Sequence, residues 1–175
     1  MKGKANILIL NPGSFDLSIA GVSRFYYLHK SLKKYFKSTF MLNFGDFETR
    51  ENFLDNICIY KFKKKIPLLS ILRFFYYIFF GLKTINFINK NHINYCIIRV
   101  PILVFFIPYL KFRHIKIILD FHGYNYKYFP NKIFYRIFEP FLTWYSDYIL
   151  VVSEGVKTQL SEKNKKKGFV LTKWG

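Results

Sequence analysis

The chain has 175 residues, a length that suits one domain with a sizeable core. Its 28 Lys and Arg residues outnumber its 10 Asp and Glu residues, which gives a net charge of +18. Such an excess indicates nucleic acid, an anionic membrane surface or a phosphorylated ligand as partner. A hydrophobic fraction of 51% and an aromatic fraction of 22% exclude a basic disordered chain.

Short apolar runs alternate with longer helical patterns along the chain. Asn6–Leu10 predicts a strand ending at Asn11-Pro12-Gly13, and Gly21-Val22-Ser23 opens a helix to about Tyr35 that Ser23 can cap. Further strands are predicted at Thr39–Asn43, Asn56–Phe62, Tyr95–Val100, Ile115–Asp120, Tyr148–Val152 and Phe169–Thr172. Further helices are predicted at about Leu68 to Asn89, at Lys132–Tyr145 with a kink or restart at Pro140, and at Val156 to about Glu162. This alternation predicts an α/β fold with a mostly parallel sheet.

The stretch Ile117–Tyr126, I-I-L-D-F-H-G-Y-N-Y, is the strongest candidate for a site. It is apolar until its carboxyl end and then polar, as in a buried parallel strand that delivers side chains to a cleft. His122 can donate or accept a hydrogen bond near neutral pH, and Gly123 lets a ligand or backbone approach closely. The equally weighted alternative is a buried strand that ends in a polar turn.

Other strand ends carry polar residues that belong to the same predicted edge: Asn11, Arg99, Ser153 and Glu154. The loop from Gly13 to Gly21 precedes a helix and suits a phosphate or diphosphate, although a plain connection is at least as good an interpretation. Arg99 would bind a ligand phosphate or, in the slightly favoured alternative, pair with Asp120. Glu139 is expected to be a structural anchor rather than a catalyst.

Cys58 and Cys96 lie in predicted strands without metal spacing, so we expect reduced, buried thiols in a cytoplasmic protein. The sequence contains no Asp-x-Asp motif and no His/Cys/Asp cluster with the spacing of metal ligands, so no metal site is predicted. Ile66–Leu82 is apolar but has Arg73 at its middle, and we expect a core or interfacial helix there rather than a membrane span. No signal peptide is expected.

The order of these segments resembles the amino-terminal domain of GT-B glycosyltransferases of the family 4 type. The resemblance rests on N-I-L-I-L followed by Ala20-Gly21-Val22-Ser23, on I-I-L-D-F-H-G, on Glu139 and on S-D-Y-I-L-V-V-S-E-G from Ser146. It implies a Rossmann-like sheet with helices on both faces, forming one half of a GT-B glycosyltransferase across residues 1–175. Ala20 departs from the family's glycine pair, and Trp174 replaces the usual Asn of the closing P-N-G.

The resemblance also implies roles for individual residues. His122 would line the transfer site, and the Gly21 loop would meet the donor diphosphate. The residues expected on the donor side are Gly21, Ser23, Gly123, Arg99, Ser153 and Glu154. No cofactor is expected, because the nucleotide sugar is a substrate.

We therefore expect the amino-terminal domain of a retaining, metal-independent glycosyltransferase that acts on a glycan or lipid-linked acceptor. It is expected to be truncated or split, with its donor-binding domain absent or supplied in trans, and inactive alone. The alternative is a non-enzymatic basic α/β module that binds an anionic membrane surface or a protein partner. Nucleic acid is not expected as a ligand, since no known nucleic-acid-binding motif is present.

Peripheral contact with an anionic membrane is a separate expectation. It rests on the basic run Lys61–Lys65, the aromatic segment Phe74–Phe80 and the net charge. An equally weighted alternative is a buried helix with a solvated basic flank.

Overall fold

The computed structural model describes residues 5–11, 20–45, 57–61, 71–99, 101–121 and 132–170. By its internal contacts the chain divides into an amino-terminal unit, Met1–Cys96, and a carboxyl-terminal unit, Ile97–Gly175. Each unit is described below by itself.

Seven strands form the sheet, in the order β3-β2-β1-β4-β5-β6-β7. Its first six positions follow the Rossmann order. The strands are β1 (Asn6–Asn11), β2 (Ser38–Gly45), β3 (Ile57–Lys61), β4 (Tyr95–Ile98), β5 (Lys116–Phe121), β6 (Tyr148–Val151) and β7 (Gly168–Val170). The helices are α1 (Ala20–Leu32), α2 (Ile71–Asn91), α3 (Ile107–Phe112), α4 (Lys132–Tyr145), α5 (Glu154–Lys157) and α6 (Glu162–Lys165), with a 3₁₀ helix at Pro101–Phe106.

In the amino-terminal unit, β1 pairs with β2 and β2 pairs with β3, all in parallel. Ile7 to Leu10 are fully buried on consecutive positions, so both faces of β1 are covered, as expected for an inner strand of a parallel sheet. Helix α1 packs against β1 and β2 through its buried Phe25 and Leu28. In α2 the buried residues Phe80, Thr84 and Ile88 recur every four positions, which gives this helix one core-facing stripe.

Asn6 joins the start of β1 to the segment after α2. Its backbone N–H donates to Asn94 Oδ1 at 2.8 Å, and the Asn94 N–H donates to the Asn6 carbonyl at 2.9 Å. The Asn6 side-chain amide also donates to the Asn91 carbonyl at 2.9 Å. Three hydrogen bonds therefore hold the first residue of β1 against residues that lie more than eighty positions later in the chain.

In the carboxyl-terminal unit, β5 pairs with β6 and β6 pairs with β7, again in parallel. Their inward side chains form a core with α4, which also packs on the 3₁₀ helix. A buried polar link ties α4 to α6, because Asn164 Nδ2 donates to Thr143 Oγ1 at 3.2 Å and Thr143 Oγ1 donates to the Pro140 carbonyl at 2.7 Å.

Most predicted elements are present within one to three residues of their expected bounds, and the predicted bounds of α4 agree with the structure. Three details were wrong. Helix α1 begins at Ala20, so Ser23 is its fourth residue and not its N-cap. Helix α4 does not restart at Pro140 but runs through it, while the kink that was given as the other possibility stays a prediction. The helix predicted from Val156 to Glu162 is replaced by two single-turn helices, α5 and α6.

Candidate functional site

Two asparagines meet at the carboxyl ends of β1 and β2. Asn11 and Asn43 are partners in the strand register, and Asn11 Nδ2 donates to Asn43 Oδ1 at 2.7 Å. Both side chains are buried, and Asn43 Nδ2 has no hydrogen-bond acceptor within the part of the chain that the structure describes. A buried donor without a partner costs about 1–3 kcal/mol. The pair therefore leaves an amide donor at the end of a parallel sheet where ligands are commonly held.

The predicted diphosphate loop falls only partly within the described residues. Residues 12–19 lie outside them, whereas Gly21 and Ser23 belong to the first turn of α1. Their positions place them at a helix N-terminus, where backbone N–H groups lack helical acceptors. The diphosphate contact itself stays a prediction.

Further along α1, His29 is fully buried beside β2. Its Nε2 lies 3.0 Å from the Thr39 carbonyl, while Nδ1 and the hydroxyl of Thr39 have no partners within the described residues. Burial lowers the pKa of His29, the hydrogen bond with Thr39 opposes this effect, and the charge of Lys33 adds to it. Sequence analysis missed this histidine, although it lies four residues after the buried Phe25, a spacing that places both side chains on the same face of α1.

The carboxyl end of β5 precedes the principal candidate. Strand β5 ends at the buried Phe121, so His122 and Gly123 follow it directly but lie outside the described residues. Asp120 is buried at the end of the same strand, and Arg99 is half-buried immediately after β4. Both have interaction partners, and the ion pair between them stays a prediction.

Ser153 and Glu154 follow β6, whose last residue pairs with the last residue of β5. The Ser153 hydroxyl accepts a hydrogen bond from the Val156 N–H at 3.3 Å, so Ser153 is the N-cap of α5. Glu154 is exposed in the first turn of α5. These two residues therefore share an edge with Asp120, while the side chain of Glu139 lies outside the described residues.

The motif Ser146-Asp147 lies at the opposite, amino ends of these strands. Asp147 Oδ2 accepts the Ile117 N–H at 2.8 Å and Lys111 Nζ at 2.8 Å, and Oδ1 lies 3.5 Å from Lys116 Nζ. Burial raises the pKa of Asp147, but the hydrogen bonds of Lys111 and Ile117 and the charges of Lys111 and Lys116 outweigh it, so the pKa is lowered. Asp147 is a structural anchor that sequence analysis had not singled out.

The remaining expectations concern metals, thiols and membranes. Among the described ranges there is no group of three His, Cys, Asp or Glu side chains that could hold a metal ion. Cys96 is a buried free thiol whose pKa is raised by burial, and the side chain of Cys58 lies outside the description. None of the described helices has the length and apolar character needed to cross a bilayer.

The segments predicted to contact a membrane are described only in part. Lys61 ends β3, and the rest of Lys61–Lys65 lies outside the described residues. In α2, Phe80 is buried, but Ile78, Phe79 and Leu82 are exposed. Membrane contact at this segment stays a prediction.

Several solved structures share the fold of this chain, among them two 2-epimerases that act on a nucleotide sugar. A crystal structure of UDP-N-acetylglucosamine 2-epimerase matches 96% of the chain with a TM-score of 0.63 and 12% identity, over 48% of that protein. UDP-GlcNAc 2-epimerase from Methanocaldococcus jannaschii matches 95% of the chain with a TM-score of 0.59 and 11% identity, over 45% of that protein. No protein-family model and no curated protein matches the sequence.

At these identities the likeness defines the fold. The predicted fold class is confirmed as a Rossmann-like α/β fold with a parallel sheet, which is the fold of about half of the matched epimerase. The chain spans about half the length of the structures that it matches.

Proposed function

We propose that this chain is the acceptor-side half of a glycosyltransferase that moves a sugar from a nucleotide-diphosphate donor to a glycan or lipid-linked acceptor. The observation that carries the proposal is the fold, which over 96% of the chain is that of half of a UDP-N-acetylglucosamine 2-epimerase. The glycosyltransferase reaction rests on the resemblance of the sequence motifs. Transfer would proceed with retention and without a metal.

We assign roles to residues at the carboxyl ends of the strands, and each unit is considered by itself. His122 directly follows β5, and we assign it the orientation of donor or acceptor hydroxyls. Backbone N–H groups near Gly21 and Ser23, in the first turn of α1, would meet the diphosphate. Arg99, with its permanent positive charge, would bind a donor phosphate.

Three further residues would complete the donor side. Gly123 would allow close approach of the donor. The Ser153 oxygen already accepts the Val156 N–H, so its contribution to a ligand would be its O–H as a donor. Glu154 is exposed beside it and would accept hydrogen bonds from sugar hydroxyls.

Epimerisation of a nucleotide sugar is the rival reaction, because both matched structures are 2-epimerases. The two reactions share the class of substrate and differ in product. Transfer joins the sugar to an acceptor, whereas epimerisation would return a nucleotide sugar with inverted configuration at one carbon. Product analysis by NMR separates them.

The test measures the unfolding of the purified chain with nucleotide sugars and oligosaccharides. A ligand at about 100 times its Kd should raise the free energy of unfolding by about 2.7 kcal/mol. His122→Ala should abolish that increase and change the stability of the free chain by less than about 0.5 kcal/mol. His114→Asn, at an exposed histidine whose positive φ suits Asn, is the matched control and should leave the increase unchanged.

Fusion to a donor-binding domain extends the test to the reaction. His122→Ala should then reduce transfer about a hundredfold, as loss of one positioned polar contact does. A large loss of stability in His122→Ala with unchanged transfer would contradict the catalytic assignment. If no nucleotide sugar or glycan binds the chain, the alternative of a non-enzymatic basic module replaces the proposal.

A further inference from the structure

A second surface of the carboxyl-terminal unit lies at the amino ends of its strands. We define the basic–aromatic patch as Lys111, Lys116, Lys163, Lys167, Trp144 and Tyr145. These residues flank the starts of β5, β6 and β7 and the end of α4. The patch is therefore at the opposite end of these strands from Asp120, Ser153 and Glu154.

The charge of the patch is largely uncompensated. Lys111 and Lys116 share one carboxylate, that of Asp147. Lys167 Nζ donates to the carbonyls of Trp144 and Ser146, at 2.8 and 2.9 Å. Burial is the main cause that lowers the pKa of Lys167, and repulsion by Lys163 and Lys111 lowers it further. Lys111, Lys116 and Lys167 thus interact with the single carboxylate of Asp147. Lys163 adds a further positive charge near Lys167, which leaves a positive field.

The aromatic part of the patch is open to solvent. The side chain of Trp144 is 64% exposed and that of Tyr145 is 41% exposed. Lys163 Nζ lies 5.4 Å from the centre of the Trp144 ring, a cation–π contact. Large exposed aromatic side chains beside lysines are typical of a membrane interface, where the ring is partly desolvated and the ammonium meets phosphate.

We propose that the basic–aromatic patch docks the chain on an anionic lipid bilayer. Its lysines would contact lipid phosphates, and Trp144 and Tyr145 would enter the interfacial layer. This surface differs from the predicted membrane segments Lys61–Lys65 and Phe74–Phe80. It does not depend on the proposed glycosyltransferase activity.

The ring contacts favour lipid over single-stranded nucleic acid. Tyr145 packs on Phe141 with 4.3 Å between ring centres and stacks on Trp144 at 6.3 Å. Lys163 lies over the Trp144 ring. Bases stack on free aromatic faces, whereas insertion into a bilayer interface needs only exposed ring edges. Neighbouring side chains already occupy ring faces of Trp144 and Tyr145, so the patch is better suited to lipid.

The first experiment is flotation of the chain with vesicles of phosphatidylcholine alone or with about one third phosphatidylglycerol. We expect binding to the anionic vesicles only, and weaker binding as salt rises. Lys116→Gln/Lys163→Gln should weaken it about 30-fold, the equivalent of roughly 1 kcal/mol for each surface lysine. The matched control, Lys30→Gln/Lys34→Gln, removes two exposed lysines outside the patch and should change binding less than about threefold.

The second experiment reports on Trp144 directly. The chain has two tryptophans, so Trp174→Phe leaves Trp144 as the only indole. Its emission should shift to shorter wavelength with anionic vesicles and not with neutral ones. Circular dichroism of every variant confirms that the fold is retained.

Four results would overturn the proposal. These are equal binding to neutral vesicles, equal losses in the patch and control pairs, an unshifted Trp144 emission on bound vesicles, and binding of single-stranded RNA with no vesicle binding. The last result would identify the surface as a nucleic-acid site.

Discussion

The side chain of Asp147 takes the place of a backbone acceptor between neighbouring strands, because its carboxylate accepts the backbone N–H of Ile117. The backbone N–H of Asp147 donates to the Ile117 carbonyl at 2.9 Å. The neighbouring Ser146 hydroxyl donates to the Leu142 carbonyl at 2.6 Å, which satisfies the end of α4. The Ser-Asp pair therefore joins the end of a helix to the starts of β5 and β6.

Replacement of Asp147 tests this role. We expect Asp147→Ala to lower the free energy of unfolding by about 2 kcal/mol, because a hydrogen bond between a charged group and a backbone N–H is lost. Asp147→Asn keeps an acceptor for Ile117 and should cost less. Lys116→Ala is the control, and its exposed ion pair should be worth less than about 1 kcal/mol. Urea unfolding measures all three, and equal costs for Ala and Asn would contradict the backbone contact.

His29 gives stability a dependence on pH. Its pKa in the folded protein is lower than the ordinary value of 6.5, so the unfolded chain binds more protons between these two values. The free energy of unfolding should therefore be constant above about pH 7 and should decrease as pH falls through about 6.5. Urea titrations between about pH 5.5 and 7.5 measure this slope.

Two variants test whether His29 causes this dependence of stability on pH. His29→Gln removes the titrating group and should flatten the pH dependence in this window. His92→Asn, at an exposed turn with positive φ, should leave the slope unchanged. A slope that persists in His29→Gln would show that another group carries it.

The sequence predicted residues at strand ends better than it predicted buried polar contacts. Asn11 and Ser153 lie where the change from apolar to polar residues placed them. The bond of Asn11 to Asn43 joins residues 32 positions apart, and that of Asp147 to Ile117 joins residues 30 apart. Such pairs depend on the lateral order of the strands, which a local pattern does not contain.

At the scale of elements, the helical spacing of apolar residues predicted the bounds of α4 correctly. The predicted restart of the helix at Pro140 was wrong. Pro140 has no N–H for the carbonyl of Arg136, so one helical hydrogen bond is lost. The helix nevertheless continues to Tyr145, with Leu142 and Thr143 buried beyond the proline. The link from Thr143 to Asn164 adds a tertiary contact at the same turn. Packing therefore outweighs the local preference for a break.

Pro140→Ala should consequently stabilise the protein. It restores a backbone donor in the helix interior, where proline is about 3 kcal/mol less favourable than alanine. The greater freedom of the unfolded chain removes about 0.4–1 kcal/mol of this gain. We expect a net increase of about 2 kcal/mol in thermal or urea unfolding, against less than about 0.5 kcal/mol for Lys90→Ala on the exposed side of α2. A decrease would mean that Pro140 is required for the packing of α4.

The segment after β6 shows where periodicity fails. A single helix from Val156 to Glu162 was predicted, but the structure has two single turns that start after Ser153 and Ser161. Buried Leu160 and Asn164 fix the path between them. Contacts of this kind come from the tertiary structure, since four-residue helices have no stability of their own.

At the scale of the whole molecule, the match to about half of larger enzymes bears on activity. A GT-B site as implied by the resemblance also uses a donor-binding domain, so the proposed acceptor-side residues would bind ligands without completing the site for transfer. The net charge of +18 adds a general attraction to anions but no specificity.

We therefore expect no sugar transfer by the purified 175-residue chain. Incubation with labelled nucleotide sugars and oligosaccharide acceptors should give product at the level of a buffer control. A sample unfolded by heat and tested in parallel gives the non-enzymatic background of the assay. Turnover that the folded chain catalyses and that His122→Ala abolishes would contradict the split-enzyme interpretation while supporting the site.

The hydrogen bonds between Asn6 and Asn94 have a consequence for synthesis on the ribosome. Strand β1 is synthesised long before the partner that fixes its start, because Asn94 follows Asn6 by 88 positions. At about 5–20 residues per second, this interval lasts roughly 4 to 18 s. During that time the apolar run Ile7–Leu10 lacks its final cover, so the nascent β1 exposes apolar side chains that a chaperone acting during translation would bind.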